Sequence, residues 1–351
     1  MKKKAIIIGG GIAGATTALS LRNLGLDVMV IERHTLLEMS SEASNAICNM
    51  HPRFDAEFNK YTSFYLEAYL YALNFYDDYP DQFVKSSMKI FPSKNNIAKL
   101  KKIADMLGSD ICNMENSNIY GAYLRLISSG YLYIKTLSQF ILKDFNVLYN
   151  QKIIKIKQTM SDIWSVFNES LEEVACADYI IFANSDNAVE FFPHLKPYLQ
   201  FIRGQSTAID TEISTDPDIL CFPSISIVQD KAGRLNFGSS YQRNNLSTEL
   251  QESCQSQNID NLCRHFRPAE DLYKKPLSGY VGIRTAPIDY LPIVGEIKEK
   301  KGIYINIGHG SRGVTSAPIS ANIIANLISG MQENNLLKFL SPTRFLKGKN
   351  A

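Results

Sequence analysis

The chain has 351 residues, of which 45% are hydrophobic and 11% aromatic, enough to fill the core of one large domain or two interleaved ones. Thirty-seven Lys and Arg against 35 Asp and Glu leave a formal charge of +2, which neither demands nor excludes an anionic macromolecular partner. Six scattered cysteines without a CxxC pair argue against a zinc site or a disulfide framework, and no apolar run reaches the ~18 residues of a membrane span.

Glycines interrupt the apolar run of "MKKKAIIIGGG" after four residues, which defeats a signal-peptide reading, so a cytoplasmic protein is expected. "KKAIII" predicts a strand, "TTALSLRNLGL" a helix and "DVMVIER" a second strand, together a βαβ unit. The stretch 57–106 reads as helix-rich and aromatic, with "FYLEAYLYALNFYDDYP" stopped by Pro80. Strands are then expected at "VLYNQKIIKIKQ", "DIWSVFNES" and "ADYIIFANS". Residues 204–279 mix strands such as "GRLNFGSSY" with a polar helix, "LSTELQESCQSQNIDNLCRHF". Near the end, "GIYINIGHGSRG" predicts a strand entering a loop, and "SAPISANIIANLISGM" an amphipathic helix. With no repeat and no Pro/Gly/Ser linker, the two ends are expected to build one body around an inserted middle.

Gly9, Gly11 and Gly14 form a GxGxxG set between the first strand and helix. Bare backbone amides and a positive helix terminus there suit a pyrophosphate, with Ile12 and Ala13 in the same turn. Glu32 ends the second strand 18 residues after Gly14, where a carboxylate accepts hydrogen bonds from a ribose. Followed by Arg33, it favours FAD or NAD over NADP. A second glycine loop, Gly308, Gly310 and Gly313, lies about 300 residues further on, again between strand and helix. Its amides suit a ring oxygen that gains negative charge on reduction, so the pair of loops points to FAD.

These segments resemble the glycine and D-amino-acid oxidase superfamily of FAD enzymes. Within it the chain is similar to the FAD-dependent oxidase half of the bifunctional tRNA 5-methylaminomethyl-2-thiouridine biosynthesis protein. "SEASNAICNMHPRF", "IRGQSTAI", "GYVGIRTAPIDYLPIVGE", "GHGSRGVTSAP" and "LSPTRFL" follow the order of that half, and the likeness spans nearly the whole chain. The resemblance implies an α/β fold: a Rossmann-like FAD-binding domain with an interleaved α+β substrate domain of the glycine/D-amino-acid oxidase type. The expected FAD-binding domain covers 1–75, 131–203 and 285–351, and the substrate domain 76–130 and 204–284. No methyltransferase half is expected before Lys2. Ser44 and Cys48 stand where the family usually has glycine, and Ile134 where its pattern ends in proline.

What the resemblance implies for the site is noncovalent FAD held by the first loop and its acid. On the flavin side it implies Ser44, Asn45 and Ala46, together with Ser311, Arg312, Val314 and Thr315 of the second loop. Thr315 is expected to donate to the flavin pyrimidine oxygen or to cap the following helix. The implied reaction strips the carboxymethyl group from 5-carboxymethylaminomethyl(-2-thio)uridine at the tRNA wobble position, leaving the 5-aminomethyl form and glyoxylate. A substrate carboxylate calls for a guanidinium fork. Arg284 falls on the position of the carboxylate-binding arginine of related oxidases, and Arg312 is the second candidate. Arg203, Gly204 and Gln205 match a further signature, and His309 is a structural histidine or a contact to substrate or flavin. Expected partners are tRNA with a modified wobble uridine and, for the missing step, a separate methyltransferase, with no membrane and with a monomer favoured. Basic clusters at Lys99/Lys101/Lys102, Lys152/Lys155/Lys157, Lys298/Lys300/Lys301 and Arg344/Lys347/Lys349 are candidate phosphate contacts. The alternatives are an oxidase of a free small amine such as glycine or sarcosine, and a non-catalytic flavin-binding RNA scaffold.

Overall fold

A computed structural model of the protein describes residues 2–35, 47–93, 96–159, 162–211, 216–266, 277–331 and 335–345. Its main elements begin with β1 (Lys4–Ile8), α1 (Ile12–Asn23), β2 (Asp27–Ile31), β3 (Ile47–Asn49), α2 (Lys60–Tyr76), β4 (Phe83–Ile90), α3 (Ile97–Leu107), β5 (Cys112–Ser117) and β6 (Gly121–Tyr133). Next come α4 (Ile134–Leu142), β7 (Asn146–Leu148), β8 (Ile153–Gln158), β9 (Trp164–Asn168), β10 (Glu173–Ala177), β11 (Tyr179–Phe182), β12 (Leu199–Asp210), β13 (Ile219–Phe222), β14 (Ile225–Gln229) and β15 (Arg234–Gly238). The chain continues through β16 (Gln242–Arg243), α5 (Glu252–His265), β17 (Ser278–Pro287), β18 (Ile293–Glu296), β19 (Ile303–Ile307) and α6 (Gly313–Ser329). No helix among the described residues is long and apolar enough to cross a membrane.

The chain divides into two units. One comprises Met1–Ser44, Ile134–Phe201 and Arg284–Ala351, the other Asn45–Tyr133 and Ile202–Ile283. The first boundary falls at residue 44 rather than at 75, because α2 packs on strands of the second unit. The Tyr76 ring lies 5.5 Å from that of Phe83, and the Tyr69 hydroxyl donates to the carbonyl of Ser128.

The first unit is built on a six-stranded sheet in the order β18-β19-β11-β1-β2-β7, parallel except where β18 runs against β19. Parallel strands bury both faces, which accounts for the continuous apolar runs of β1 and β19. Chain order reverses between β1 and β11, the crevice where open α/β sheets bind ligands at the carboxyl ends of their strands. A three-stranded antiparallel sheet, β10-β9-β8, accompanies it. The expected single strand over 147–158 is split into β7 and β8 by Asn150, whose φ of +56° turns the chain. The expected amphipathic helix is α6, and its residues 314–321 and 323–325 are all buried. It packs on α1 and on β18 and β19, so little of its circumference is left for water.

The second unit carries a ten-stranded sheet along β16-β12-β15-β14-β13-β4-β6-β3, with β17 on β12 and β5 on β6. Here the helix-rich expectation for 57–106 fails in its middle. α2 and α3 form, but β4 separates them. A register shift between Ser86 and Met88 breaks its inside–outside alternation, leaving no clean period of two in "FVKSSMKI". The polar helix expected from residue 246 starts only at Glu252, because the preceding residues are tied to Arg203.

Candidate active site

The first glycine loop is shaped by two backbone approaches. A Cβ on Gly14 would sit 1.8 Å from the carbonyl oxygen of Gly9, so only glycine lets α1 start against the end of β1. Gly9, at φ +109°, has no room either: a Cβ there would lie 2.7 Å from the Ala183 carbonyl oxygen beyond β11. Gly11 differs, since nothing lies within 4 Å of its missing Cβ. It is the N-cap of α1, no side chain caps the helix, and its first turn holds no acid. The amides of Ile12, Ala13 and Gly14 and the positive helix end therefore face the space beside Gly11.

Glu32 is 6% exposed and is fixed by backbone donors: Gly10 N–H gives to Oε2 at 2.7 Å and His34 N–H to Oε1 at 2.9 Å. Each oxygen keeps a lone pair, so the carboxylate can still accept from a ligand hydroxyl. Arg33 is exposed and lies 3.2 Å through Nε from the Nε2 of His34.

The second loop is locked to the strand that carries Arg284. Gly308 (φ +77°) and Gly310 (φ +57°) take left-handed conformations. A Cβ on Gly308 would meet the Pro287 ring at 2.9 Å, and one on Gly310 the Ala286 Cβ at 3.3 Å. One residue earlier, the Thr285 hydroxyl lies 2.9 Å from that of Ser185. Three successive neighbours of half-buried Arg284 are thus keyed to the end of β11 and to the second loop. The loops also meet each other. A Cβ on Gly313 would lie 3.7 Å from Ile12 Cγ2, and Thr16 Oγ1 approaches the Ala317 carbonyl at 3.4 Å.

Residues 4–327 match the family of FAD dependent oxidoreductases known as DAO. The chain belongs to this family. It is 26% identical to the tRNA 5-methylaminomethyl-2-thiouridine biosynthesis bifunctional protein of Marinomonas sp. (strain MWYL1), over 98% of this chain and 59% of that protein. It therefore spans about three fifths of the length of that curated relative. Among solved structures it resembles glycine oxidase from Geobacillus kaustophilus (TM-score 0.83, 14% identity, 98% and 99% of the two chains). Iminodiacetate oxidase from Chelativorans sp. BNC1 is similar as well (TM-score 0.80, 14% identity, 96% and 98%). At such identities the structural likeness speaks for the fold.

Family membership makes FAD the cofactor, and the residues present fit it. The open position at Gly11 and the uncapped start of α1 suit the diphosphate. At the other loop, α6 also begins without a side-chain cap or an acid in its first turn. Thr315 is fully buried and its Oγ1 has no hydrogen-bond partner among the described residues. It sits inside the first turn of α6, after the N-cap Arg312, so the expected capping role is corrected: its hydroxyl bonds no helix amide. Ser311 is exposed, Arg312 and Gly313 are half-buried and Val314 is buried. Ser44, Asn45 and Ala46 lie outside the described residues.

Sequence reasoning missed the polar chain that ties both loops together. Asn306, fully buried within β19, donates through Nδ2 to Thr17 Oγ1 of α1 at 3.0 Å. Its Oδ1 lies 3.0 Å from His309 Nε2, and His309 Nδ1 lies 2.8 Å from Ser316 Oγ of α6. Burial pushes the His309 imidazole down to about 4, against the opposing hydrogen bond to Asn306. A neutral ring facing the Asn306 oxygen carries its proton on Nε2, so Nδ1 shares the single Ser316 hydroxyl proton with the Arg312 carbonyl, 2.9 Å from Ser316 Oγ. His309 is thus a structural link rather than a base. Its signal was Asn306, the one polar residue in "IYINI".

The "IRGQ" signature also resolves into structure. Arg203 is fully buried in the second unit. It donates to the Ser247 carbonyl (2.9 Å), Gln242 Oε1 (3.2 Å), Gln205 Oε1 (2.8 Å) and the Glu249 carbonyl. It also lies 3.3 Å from Cys254 Sγ, and Gln205 Nε2 donates to the Gln251 carbonyl at 2.9 Å. The pair clamps the segment 242–254. One expected phosphate contact is overturned. Arg344 grips Asp289 with two bonds, 2.8 and 3.2 Å, its side chain 12% exposed, so it is committed within the first unit. Lys347 and Lys349 lie outside the described residues.

Proposed function

We propose that the protein oxidatively removes the carboxymethyl group from 5-carboxymethylaminomethyl(-2-thio)uridine at the tRNA wobble position, releasing glyoxylate and the 5-aminomethyl nucleoside. Bound FAD would accept the hydride, and with it both electrons, lost from the carbon between amine and carboxylate. Water then cleaves the resulting C=N bond. The chain's task is placement: it holds that carbon in register with the flavin and excludes alternative poses.

One observation carries this reading: Arg284 stands on a strand whose next residues, Thr285, Ala286 and Pro287, are fixed against Ser185, Gly310 and Gly308. An arginine whose backbone is anchored through its neighbours to the flavin-end loop is a suitable partner for a carboxylate next to the reacting carbon. The similarity to a tRNA-modifying relative over 98% of the chain supports tRNA as the bearer of that carboxylate. Arg312, at the start of α6, is the second cation available to it.

Two measurements test the proposal. Wild-type protein mixed anaerobically with undermodified tRNA is expected to bleach its flavin absorbance and, with oxygen, to release glyoxylate. Free glycine and sarcosine are expected to do neither. Arg284→Ala is expected to keep its FAD and lose turnover by at least about a hundredfold, the ~3 kcal/mol scale of a lost charge-assisted contact. Equal glyoxylate from free glycine, or a normal rate in Arg284→Ala, overturns the substrate or the carboxylate assignment respectively.

A further inference from the structure

The second unit displays an aromatic side chain to water on a stiff loop. Phe58 is 64% exposed, yet the turn that carries it is closed by several bonds. Asn59 Nδ2 donates to Asp55 Oδ2 at 3.0 Å, Asp55 N–H donates to Thr62 Oγ1 at 3.1 Å, and Asn59 Oδ1 caps α2 through the amides of Tyr61 and Thr62. Phe54, on the same turn, packs into the cluster that holds Leu100 and Ile103, the inner face of α3. The outer face of α3 adjoins the turn, since Lys99 lies 3.8 Å from Asp55.

Cations lie on the same two segments. Arg53 and Lys60 both lie over the Tyr61 ring, 4.9 and 5.1 Å from its centre, and Lys99, Lys101 and Lys102 are exposed on α3. Asp55, Glu57 and Asp105 share the surface. Five positive against three negative groups leave +2 on two short segments, as large an excess as the whole 351-residue chain carries. An exposed apolar ring on a tied turn, with cations on the same turn and on the adjoining helix, matches the chemistry of unpaired nucleotides, whose bases stack on aromatic faces while their phosphates meet Lys and Arg. The turn also follows in sequence within ten residues of Ser44, Asn45 and Ala46, the segment expected to meet the flavin.

We propose that the turn Arg53–Tyr61 and the outer face of α3 bind single-stranded RNA, the loop that carries the modified uridine, with Phe58 stacking on a base and Lys60, Lys99, Lys101 and Lys102 meeting phosphates. This rests on tRNA being the substrate. Rigidity matters because a preformed platform loses little entropy on binding.

Fluorescence anisotropy with labelled undermodified tRNA, between 50 and 200 mM salt, tests it on the FAD-loaded full chain. Phe58→Ala is expected to weaken binding about tenfold, as loss of one base–aromatic stack does. Lys101→Ala/Lys102→Ala is expected to lower the slope of log affinity against log salt by about 1.4, from ~0.7 per single-strand phosphate. Both variants replace exposed side chains and are expected to keep wild-type melting and FAD content. A hairpin of the anticodon stem and loop should compete, and a blunt duplex RNA of equal length should not. Wild-type affinity and slope in both variants, or equal competition by the duplex, overturns the surface while leaving tRNA as substrate intact. Absence of tRNA binding and of glyoxylate with wild-type protein instead overturns the substrate reading itself.

Discussion

Gly11→Ala separates what the fold needs from what the cofactor needs. No atom lies within 4 Å of the new methyl, and the backbone, at φ −71° and ψ −174°, is ordinary extended chain that alanine adopts freely. Alanine is a poorer N-cap than glycine by several tenths of a kcal/mol up to ~1, while the stiffer unfolded chain returns ~0.4–1 kcal/mol. The two offset, so the apo protein is expected to melt within a degree or two of wild type. FAD binding tells a different story, because the diphosphate is expected to occupy that same space. Overpacking costs ~1–3 kcal/mol where neighbours cannot yield, which is about a 5- to 150-fold rise in the FAD dissociation constant. Gly14→Ala is the counterpart, since its methyl would meet the Gly9 carbonyl at 1.8 Å and must destabilise the apo protein itself. Calorimetric titration of flavin-stripped protein with FAD, with thermal melts of the same samples, reads both effects. Wild-type FAD affinity in Gly11→Ala would refute the placement of the diphosphate.

Two further outcomes follow from buried polar groups. His309 is neutral in the fold because burial lowers it from 6.5 to about 4, whereas the unfolded chain takes up the proton. Its contribution is therefore complete above pH 6.5 and lost as pH falls toward 4, by up to about 3 kcal/mol. His309→Gln should flatten the acid limb of stability in denaturant melts between pH 4.5 and 7.5, and identical limbs would contradict the assigned protonation. Arg203→Ala strands the carbonyls of Ser247 and Glu249 and removes one of the two donors to the Gln205 amide oxygen, and is expected to cost more than about 3 kcal/mol in chemical denaturation. An unchanged denaturation midpoint would mean that the 242–254 segment holds itself.

The first unit of this protein is legible in its sequence because it depends on local features. A strand, a glycine loop and a helix at fixed spacing define each of the two glycine turns, and Glu32 follows from strand length alone. The second unit reads poorly. β4 hides behind a register shift, and the 13-residue β6 owes its course to partners on several sides rather than to its own pattern. Pairings such as Thr17 with Asn306, or Ser185 with Thr285, join residues 289 and 100 positions apart, and no local period announces them. Arg344 shows the reverse error: a tail that reads as basic carries a cation already spent on Asp289.

The order of strands in the six-stranded sheet sets a clock on maturation. β11 pairs with β1 on one side and waits on the other for β19, which is made about 120 residues later. At ~5–20 residues per second a ribosome leaves that edge without its neighbour for roughly 6 to 25 s. Throughout that interval the amides and carbonyls of "YIIF" offer a template to any other nascent strand. The proposed grip on the cofactor by both glycine loops needs synthesis to have passed Thr315, so chains cut short upstream are expected to stay colourless.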